Sequence, residues 1–446
     1  MRKLFEEVPA FFHFHHQFLQ KRKTTNQKEI QVKKLYFCTL RYVNYKQLIV
    51  RKLYLFIGLI LCVTLPFSAV SQEDGTKKEK TKKEKKAVNP DFKHKFTTFH
   101  LEARADFEYN YEHDEWGYVS SLGVPSHGEV TQHNYGFRGD YFNFLLGGDI
   151  GKHISYFFRQ RIIPANGFTE LFDNTDFLYI QYNFNDQWSL RMGKEAIFVG
   201  GYEYDAPPID VYYYTHYWGA FPCFLLGVSA AYTDKSGNNK IVLNVANSPY
   251  VKYLDNRWNS GLLSYNLYWS GKFGPFSTLY SVNFLEYQRG KFINFIALGN
   301  KLSFNKWSIY VDYVNRAAGF KNFFKDFSVV SRLDWHVSPS VNLFAKGGYE
   351  LNSAGYYYTP NGHGYPVDVD MLMSNNLAHS FYGLGVEFRP RVYPDLRVHA
   401  FVANSVNTLP RDIVGDYGFQ DMTLTANVGV TWRLDFMKFL PAKLKN

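Results

Sequence analysis

Leu101–Glu112 reads LEARADFEYNYE. Leu101, Ala103, Ala105, Phe107, Tyr109 and Tyr111 are apolar, and Glu102, Arg104, Asp106, Glu108, Asn110 and Glu112 between them are polar or charged. A period of two held over a whole segment gives one extended strand with two opposite faces and does not fit the 3.6 period of a helix. Two environments suit such a strand. In a soluble sandwich the apolar side faces a core. In a membrane barrel it faces lipid, and the charged side faces a watery lumen.

Working outward, alternation and turn chemistry predict about sixteen strands: 100–112, 133–148, 154–163, 176–184, 188–194, 225–233, 240–248, 261–271, 275–287, 291–303, 307–316, 327–337, 341–350, 379–389, 395–404 and 422–434. Every second connection is tight and rich in turn formers: DIGKH, NDQ, DKSGNN, the KFGP region, FNK, SPS and PRVYPD. The connections between them are mostly longer: 113–132, 164–175, 195–224, 249–260, 317–326, 351–378 and 405–421, with a short one at 288–290. A sandwich has no reason to sort its loops by end, whereas a bacterial outer-membrane barrel does. Trp307, Ile309, Val311 and Tyr313, and again Leu424, Ala426, Val428, Val430, Trp432 and Leu434, supply further apolar faces. The sequence therefore predicts an all-β transmembrane antiparallel β-barrel over residues 95–436, with residues 437–446 as a tail.

Composition agrees. Aromatics make up 19% of the 446 residues, an excess that interfacial girdles explain, and the mean hydropathy of −0.30 argues against a multi-span helical protein. The net charge of +10 is uneven. Residues 1–86 hold 19 Lys and Arg against 7 Asp and Glu, and the remainder holds 31 against 33. The barrel portion is thus close to neutral, and nucleic acid is not an expected partner.

Arg51–Lys52, the apolar run from Leu53 to Val63 and the small residues Ala69–Ser71 read as a secretory signal over 50–71. A membrane anchor is the alternative, and Pro66 with the lysine-rich sequence beyond fits cleavage better. Residues 1–49 fit no element and read as an extension upstream of a true start at Val50. Residues 72–94, with KKEKTKKEKK at Lys77–Lys86, read as a solvated periplasmic linker. Cys38 and Cys62 precede the expected mature chain, which leaves Cys223 without an intramolecular disulfide partner.

Four stretches carry a resemblance. Tyr135–Arg161 (YGFRGDYFNFLLGGDIGKHISYFFRQR), Leu171–Tyr214, Asn283–Phe304 and Phe323–Trp335 resemble the phosphate-selective porin O and P family as found in Bacteroidetes. The resemblance implies an outer-membrane channel of sixteen strands, often a trimer, embedded in outer-membrane lipid. Phosphate-selective members use a ladder of arginines with constriction lysines. That ladder does not match position by position here, so the expected solutes are small polar or anionic molecules, with phosphate one candidate.

The alternation predicts lumen-facing Arg138, Asp140, Arg159, Arg161, Arg191, Arg332, Asp334, Lys346 and Arg397. Arg138, Arg159, Arg161 and Arg191 form an expected basic patch, since guanidiniums stay charged and bind oxyanions through two donors. Structural ion pairs with Glu102, Asp106 and Asp140 are the equal alternative. The longest outer loop, Glu195–Phe224, carries Glu203, Asp205 and Asp210, with Lys194 near its base. Folded inward, it would set acid against arginine across a constriction; an exposed surface loop is the alternative. Tyr356–Pro366 (YYYTPNGHGYP) reads as an aromatic surface loop. No cofactor is expected, and His127, His133 and His363 lack metal-like spacing. A barrel lipase or protease needs a nucleophile beside its base, but adjacent His379 and Ser380 point to opposite faces of a strand. An enzyme and a surface-binding barrel are the other function classes. A passive diffusion channel is the reading the sequence favours.

Overall fold

The computed structural model describes residues 94–119, 125–162, 172, 174–221, 223–249, 261–317, 324–353, 359–360, 366–367, 377–409 and 418–441. All lie in the second of the chain's two compact units, residues 86–446. The expected signal, the upstream extension, the linker except His94 (which opens the first strand), the Tyr356–Pro366 loop (apart from a two-residue strand pair) and His363 lie outside the described residues.

Sixteen antiparallel strands close into a barrel. They are β1 (His94–Val119), β2 (Pro125–Ile150), β3 (Ile154–Arg161), β4 (Thr175–Asn183), β5 (Trp188–Ala196), β6 (Phe224–Thr233), β7 (Asn239–Asn247), β8 (Leu263–Phe273), β9 (Phe276–Gln288), β10 (Lys291–Ser303), β11 (Trp307–Ala317), β12 (Asp326–Ser338), β13 (Val341–Asn352), β14 (Ala378–Phe388), β15 (Leu396–Leu409) and β16 (Gly418–Asp435). Each strand pairs with its sequence neighbours, and β1 pairs with β16, in register from His100↔Asp435 to Gly117↔Gly418.

Burial decides between the two environments left open by a single strand. Glu102, Arg104 and Asp106 are buried, while Ala105 and Phe107, alternating with them, are exposed. The inversion runs around the wall. Leu178, Ile180, Leu243, Leu267, Val311, Leu384 and Val428 are exposed, whereas Asn266, Asn283, Arg316, Glu350 and His399 are buried. An apolar outside and a polar inside is the pattern of a barrel in lipid. Closure also pairs backbone groups that the hydrocarbon would leave unsatisfied. Aromatic pairs gather near the short turns, with Trp307 and Trp335 stacked at 4.9 Å and Trp188 beside Tyr232 at 4.9 Å. These suit a lipid interface.

Two expectations need correction. β1 and β2 run 26 residues each, far beyond 100–112 and 133–148, and pair up to Val119↔Pro125. The expected 113–132 loop is therefore mostly a hairpin. Above Glu112 both faces carry polar residues such as His113, Asp114, Glu115, Thr131 and Gln132, so alternation fades while the backbone ladder continues. β3 is shorter than expected, and β2 pairs with it only over Asn143–Ile150. In β2 a bulge opposite Arg104 and Ala105 makes Asp140 the extra residue, 3.3 Å from Arg104.

The turns have local causes. Gly274, at φ 59, supplies the left-handed residue in the tight β8–β9 connection. In the β6–β7 turn the Asp234 carboxylate accepts from Asn239 Nδ2 at 2.8 Å, Ser236 Oγ at 2.9 Å and Asn238 N at 3.0 Å. The Asn239 bond leads the causes that push its pKa down to about 2. A depressed pKa contributes stability above the unfolded value near 4, and this is lost as pH falls through about 2. We expect Asp234→Asn to be less stable than the parent at pH 6 and the gap to shrink markedly by pH 2, with barrel melting in detergent as the measurement. A parent–variant difference that is the same at both pH values would remove this role.

Candidate functional site

The segment between β5 and β6, residues 197–223, lies against inward-facing side chains of the wall. Its apolar residues make the core. Ile197, Val199, Tyr217 and Phe221 pack on Leu285, Phe295, Ala297 and Val314, and Tyr212 packs on Phe344 and Phe401. The sequence explains the path. Gly200 lets the backbone approach β9, where a Cβ would meet Leu279 O at 2.4 Å, and Gly201 adopts φ 113. Ser281 Oγ accepts from Gly200 N at 2.8 Å, and Asn283 Nδ2 donates to Phe198 O at 2.8 Å. A helical turn, α1 (Tyr202–Asp205), follows, with Glu203 N donating to Asp312 Oδ2 at 2.8 Å. A single 3₁₀ turn, Pro208–Asp210, leads to Thr215, whose hydroxyl accepts from Trp218 N and caps α2 (His216–Ala220).

Two ion-pair groups tie this segment to the wall. In the first, Glu203 lies 2.6 Å from Lys346 Nζ on β13 and accepts from Thr215 Oγ1 at 2.6 Å, and Lys346 also donates to Tyr213 O. In the second, Asp210 lies 2.6 Å from Arg397 Nη1 and 2.9 Å from Arg433 Nη2. Arg397 also donates to Ile209 O, and Arg104 Nη1 donates to Val211 O at 2.8 Å. Behind it Arg104 pairs with Asp106 at 2.6 Å, and His399 Nε2 stands 3.1 Å from the same carboxylate. The segment is thus held to β9, β11, β13, β15, β16 and β1, which carries it across the barrel interior.

The expected basic residues are dispersed and compensated. Arg138 pairs with Glu108 at 3.0 Å and Asp140 at 2.7 Å. Arg159 and Arg161 share Asp176 at 2.8 and 2.9 Å. Arg191 pairs with Glu195 at 2.7 Å and lies over Tyr179. Arg332 pairs with Asp334 and Glu387 at 2.8 and 3.2 Å. Among the described residues, no ion pair within 4 Å joins Arg138, Arg159, Arg161 or Arg191 to Glu203, Asp205 or Asp210. Among the described residues, the cations that pair with the loop acids are Lys346, Arg397 and Arg433, so the expected facing of loop acid and wall arginine falls on Arg397 and Arg433 and not on the β2–β5 patch.

Lys194 also departs from expectation. It lies in β5 opposite Leu178 and Leu226, both exposed outward, and it is buried with its amine on Phe172 O at 2.7 Å. Its parity puts it on the lipid side, away from the loop acids. Asp205 is exposed on α1. Arg104 and Arg433 were missed as site residues, although both sit on the polar positions of clean alternations. The signal existed, but nothing local marks which lumen residues a distant loop will reach. Cys223 is a free thiol.

No curated protein sequence matches the chain. Among solved structures, the outer membrane channel DcaP of Acinetobacter baumannii is similar at 11% identity and TM-score 0.46, covering 74% of this chain and 96% of that one. The trimer form of OmpT, an outer membrane protein of Vibrio cholerae, is similar at 10% identity and TM-score 0.41, covering 74% and 99%. A mutant porin of Rh. blastica is similar at 11% identity and TM-score 0.38, covering 75% and 99%. Residues 124–251, which include β2 to β7 and the whole lumen segment, match the family model described as phosphate-selective porin O and P. With that match on a closed sixteen-stranded barrel whose apolar face is outward, the chain is an outer-membrane porin, similar over residues 124–251 to the phosphate-selective porin O and P family.

Proposed function

We propose that the protein is a passive diffusion channel for small polar or anionic solutes, with residues 197–223 as its constriction. The observation that carries this reading is the pairing of Glu203 and Asp210 with Lys346, Arg397 and Arg433 on the far wall. A loop held across a water-filled lumen narrows it, and the charges on its two sides orient polar solutes. Arg138, Arg159, Arg161, Arg191, Arg332 and Lys346 line the wall in this reading. Their carboxylate partners favour passage limited by size and polarity over a strict anion ladder. Phosphate enters only as the solute the family's description suggests. The same reading includes export through a cleaved signal at 50–71.

Assembly as a homotrimer belongs to the proposal. An outward hollow floored by Ala400 and Ala426 and bordered by Phe107, Leu384 and Val428 offers a second copy a seat in the lipid-facing wall. Crosslinking in outer membranes tests it, and monomers alone would remove it.

The deciding experiment is single-channel current in a planar bilayer from protein lacking residues 1–71. We expect steady conductance, and a KCl gradient gives the sign of selectivity. Chloride current blocked by phosphate at about millimolar levels or below, a concentration that marks a specific weak site, would make phosphate the solute. No conductance from a folded, heat-modifiable barrel overturns the channel.

A further inference from the structure

One rung of the barrel carries an unusual row. Ser328 pairs in register with Glu350, Glu350 with His379, His379 with Asn407, Asn407 with Asp421, and Asp421 with Asp114. Directly opposite residues in antiparallel strands share a face, so these six side chains form a continuous polar band across β12 to β16 and β1. Its place on the lumen side follows from Glu350 and His379, which α2 of the inward segment meets.

At the middle of the band the loop adds a second imidazole. His216, the first residue of α2, packs on His379 with ring centroids 4.2 Å apart. Its backbone N–H donates to Glu350 Oε2, and Tyr217 N donates to Glu350 Oε1 at 3.3 Å. Both rings address one oxygen: His379 Nδ1 lies 2.8 Å and His216 Nε2 lies 3.2 Å from Asn407 Oδ1. Asn407 Nδ2 in turn donates to Asp421 Oδ2 at 3.1 Å. Ligand atoms of His216, Glu350 and His379 all lie within 4.8 Å of one another. Glu350 and His379 are buried.

We propose that His216, His379 and Glu350 bind a divalent transition-metal ion of the zinc class, fastening α2 of the constriction segment to the wall. Two imidazoles and a carboxylate suit zinc and its borderline neighbours better than calcium or magnesium, which take oxygen ligands. Ligands at about 2.0–2.2 Å from one ion stand at most about 4.4 Å apart, so small ring rotations close the set. Each imidazole stays neutral, moving its proton to the nitrogen away from the metal. Asn407 Oδ1 then lies beside the ion, as a ligand or as the acceptor for a bound water.

The surrounding charge favours a cation. Asp114 and Asp421 are two carboxylates opposed in one rung, with Glu112 two residues along β1, and like charges so placed repel unless a cation or proton intervenes. Among the described residues, Arg316 is the cation paired with this group, 3.7 Å from Glu350 and 2.7 Å from Asp326. Glu350, Asp326, Asp421, Asp114 and Glu112 outnumber it.

The test uses the full barrel in detergent with zinc as the probe. Equilibrium dialysis at about 100 µM zinc is expected to find one ion per chain that EDTA removes, and binding to the folded state alone should raise the melting temperature. His216→Ala and His379→Ala should each weaken binding by roughly 10- to 100-fold or more, since even outer partners of a metal ligand are worth that much. His133→Ala, whose ring contacts Tyr109 on the outward hairpin, should bind as the parent does. His216 lies on the loop, so its variant keeps the test open where a strand substitution fails to fold. No bound zinc, or equal binding in both histidine variants, overturns the inference. The channel readout rests on the proposed function: zinc should shift the reversal potential toward anions in the parent and leave His216→Ala unchanged. Conduction without zinc binding defeats the metal site and leaves the channel. Zinc binding without conduction does the reverse.

Discussion

Replacing Glu203 and Asp210 together by Ala is expected to turn the channel toward anions and to widen it. The double variant removes two negative charges that stand 2.6 Å from Lys346 and from Arg397, and it leaves Lys346, Arg397 and Arg433 facing the lumen. One uncompensated charge about 10 Å away in a medium of intermediate dielectric is worth roughly 1 kcal/mol, about fivefold in a permeability ratio. The change in reversal potential should therefore exceed any from the exposed Asp205. The two sites differ in stability. Glu203 and Lys346 are 5% and 4% exposed, so breaking that pair strands a buried ammonium at a cost of about 3–5 kcal/mol. Asp210 is 26% exposed and Arg433 36%, so water offsets much of that pair's loss, while the nearer partner Arg397, 5% exposed, keeps its contacts with Ile209 O and Thr431 Oγ1. Glu203→Ala should thus lower the melting temperature more than Asp210→Ala, while both raise conductance by loosening the segment. Unchanged selectivity in the folded double variant would take the loop out of the constriction.

The barrel was legible because lipid forces regularity. Every strand needs two distinct faces, and the alternation of β11 and β16 carries that demand residue by residue. The tops of β1 and β2 were not legible, because above the bilayer both faces meet water and nothing selects alternate residues. The same physics limits the site. Parity puts Arg138, Arg159, Arg161, Arg191, Arg332 and Lys346 on the polar face, but not which acid each meets. Asp176 neutralises Arg159 and Arg161 from an adjacent strand. Asp210 reaches Arg397 and Arg433 from a loop some two hundred residues away in sequence. Lys194 failed for a local reason: its position is outward by parity, and the buried amine is satisfied by Phe172 O, a contact no pattern announces. His216 and His379 lie far apart in the chain, and only the inward path of the loop brings their rings together.

Gly429→Ala is expected to cause a large loss of stability for a single added methyl group. Gly429 sits on β16 opposite Asp106. A Cβ there would stand 2.0 Å from Asp106 Oδ1 and 2.6 Å from the His399 ring, well inside contact distance. Neither neighbour is free to retreat. Asp106 is fully buried, gripped by Arg104 at 2.6 and 3.0 Å and approached by Asn427 Nδ2 at 3.3 Å. His399 packs against Tyr212, the rings tilted by 31° with centroids 4.5 Å apart. Arg104 in turn holds Val211 O, so a displaced Asp106 also loosens the segment across the lumen. Overpacking alone costs about 1–3 kcal/mol, and separating the buried Arg104–Asp106 pair costs about 3–5 kcal/mol. Gly136→Ala is the matched control, since a Cβ on Gly136 meets nothing within 4 Å. We expect Gly136→Ala to keep the parent's heat-modifiable mobility, and Gly429→Ala either to lose it or to melt far lower with a noisier open-channel current. Equal melting of the two variants would mean that Asp106 and His399 can move aside, and that the hub behind the constriction is looser than its contacts imply.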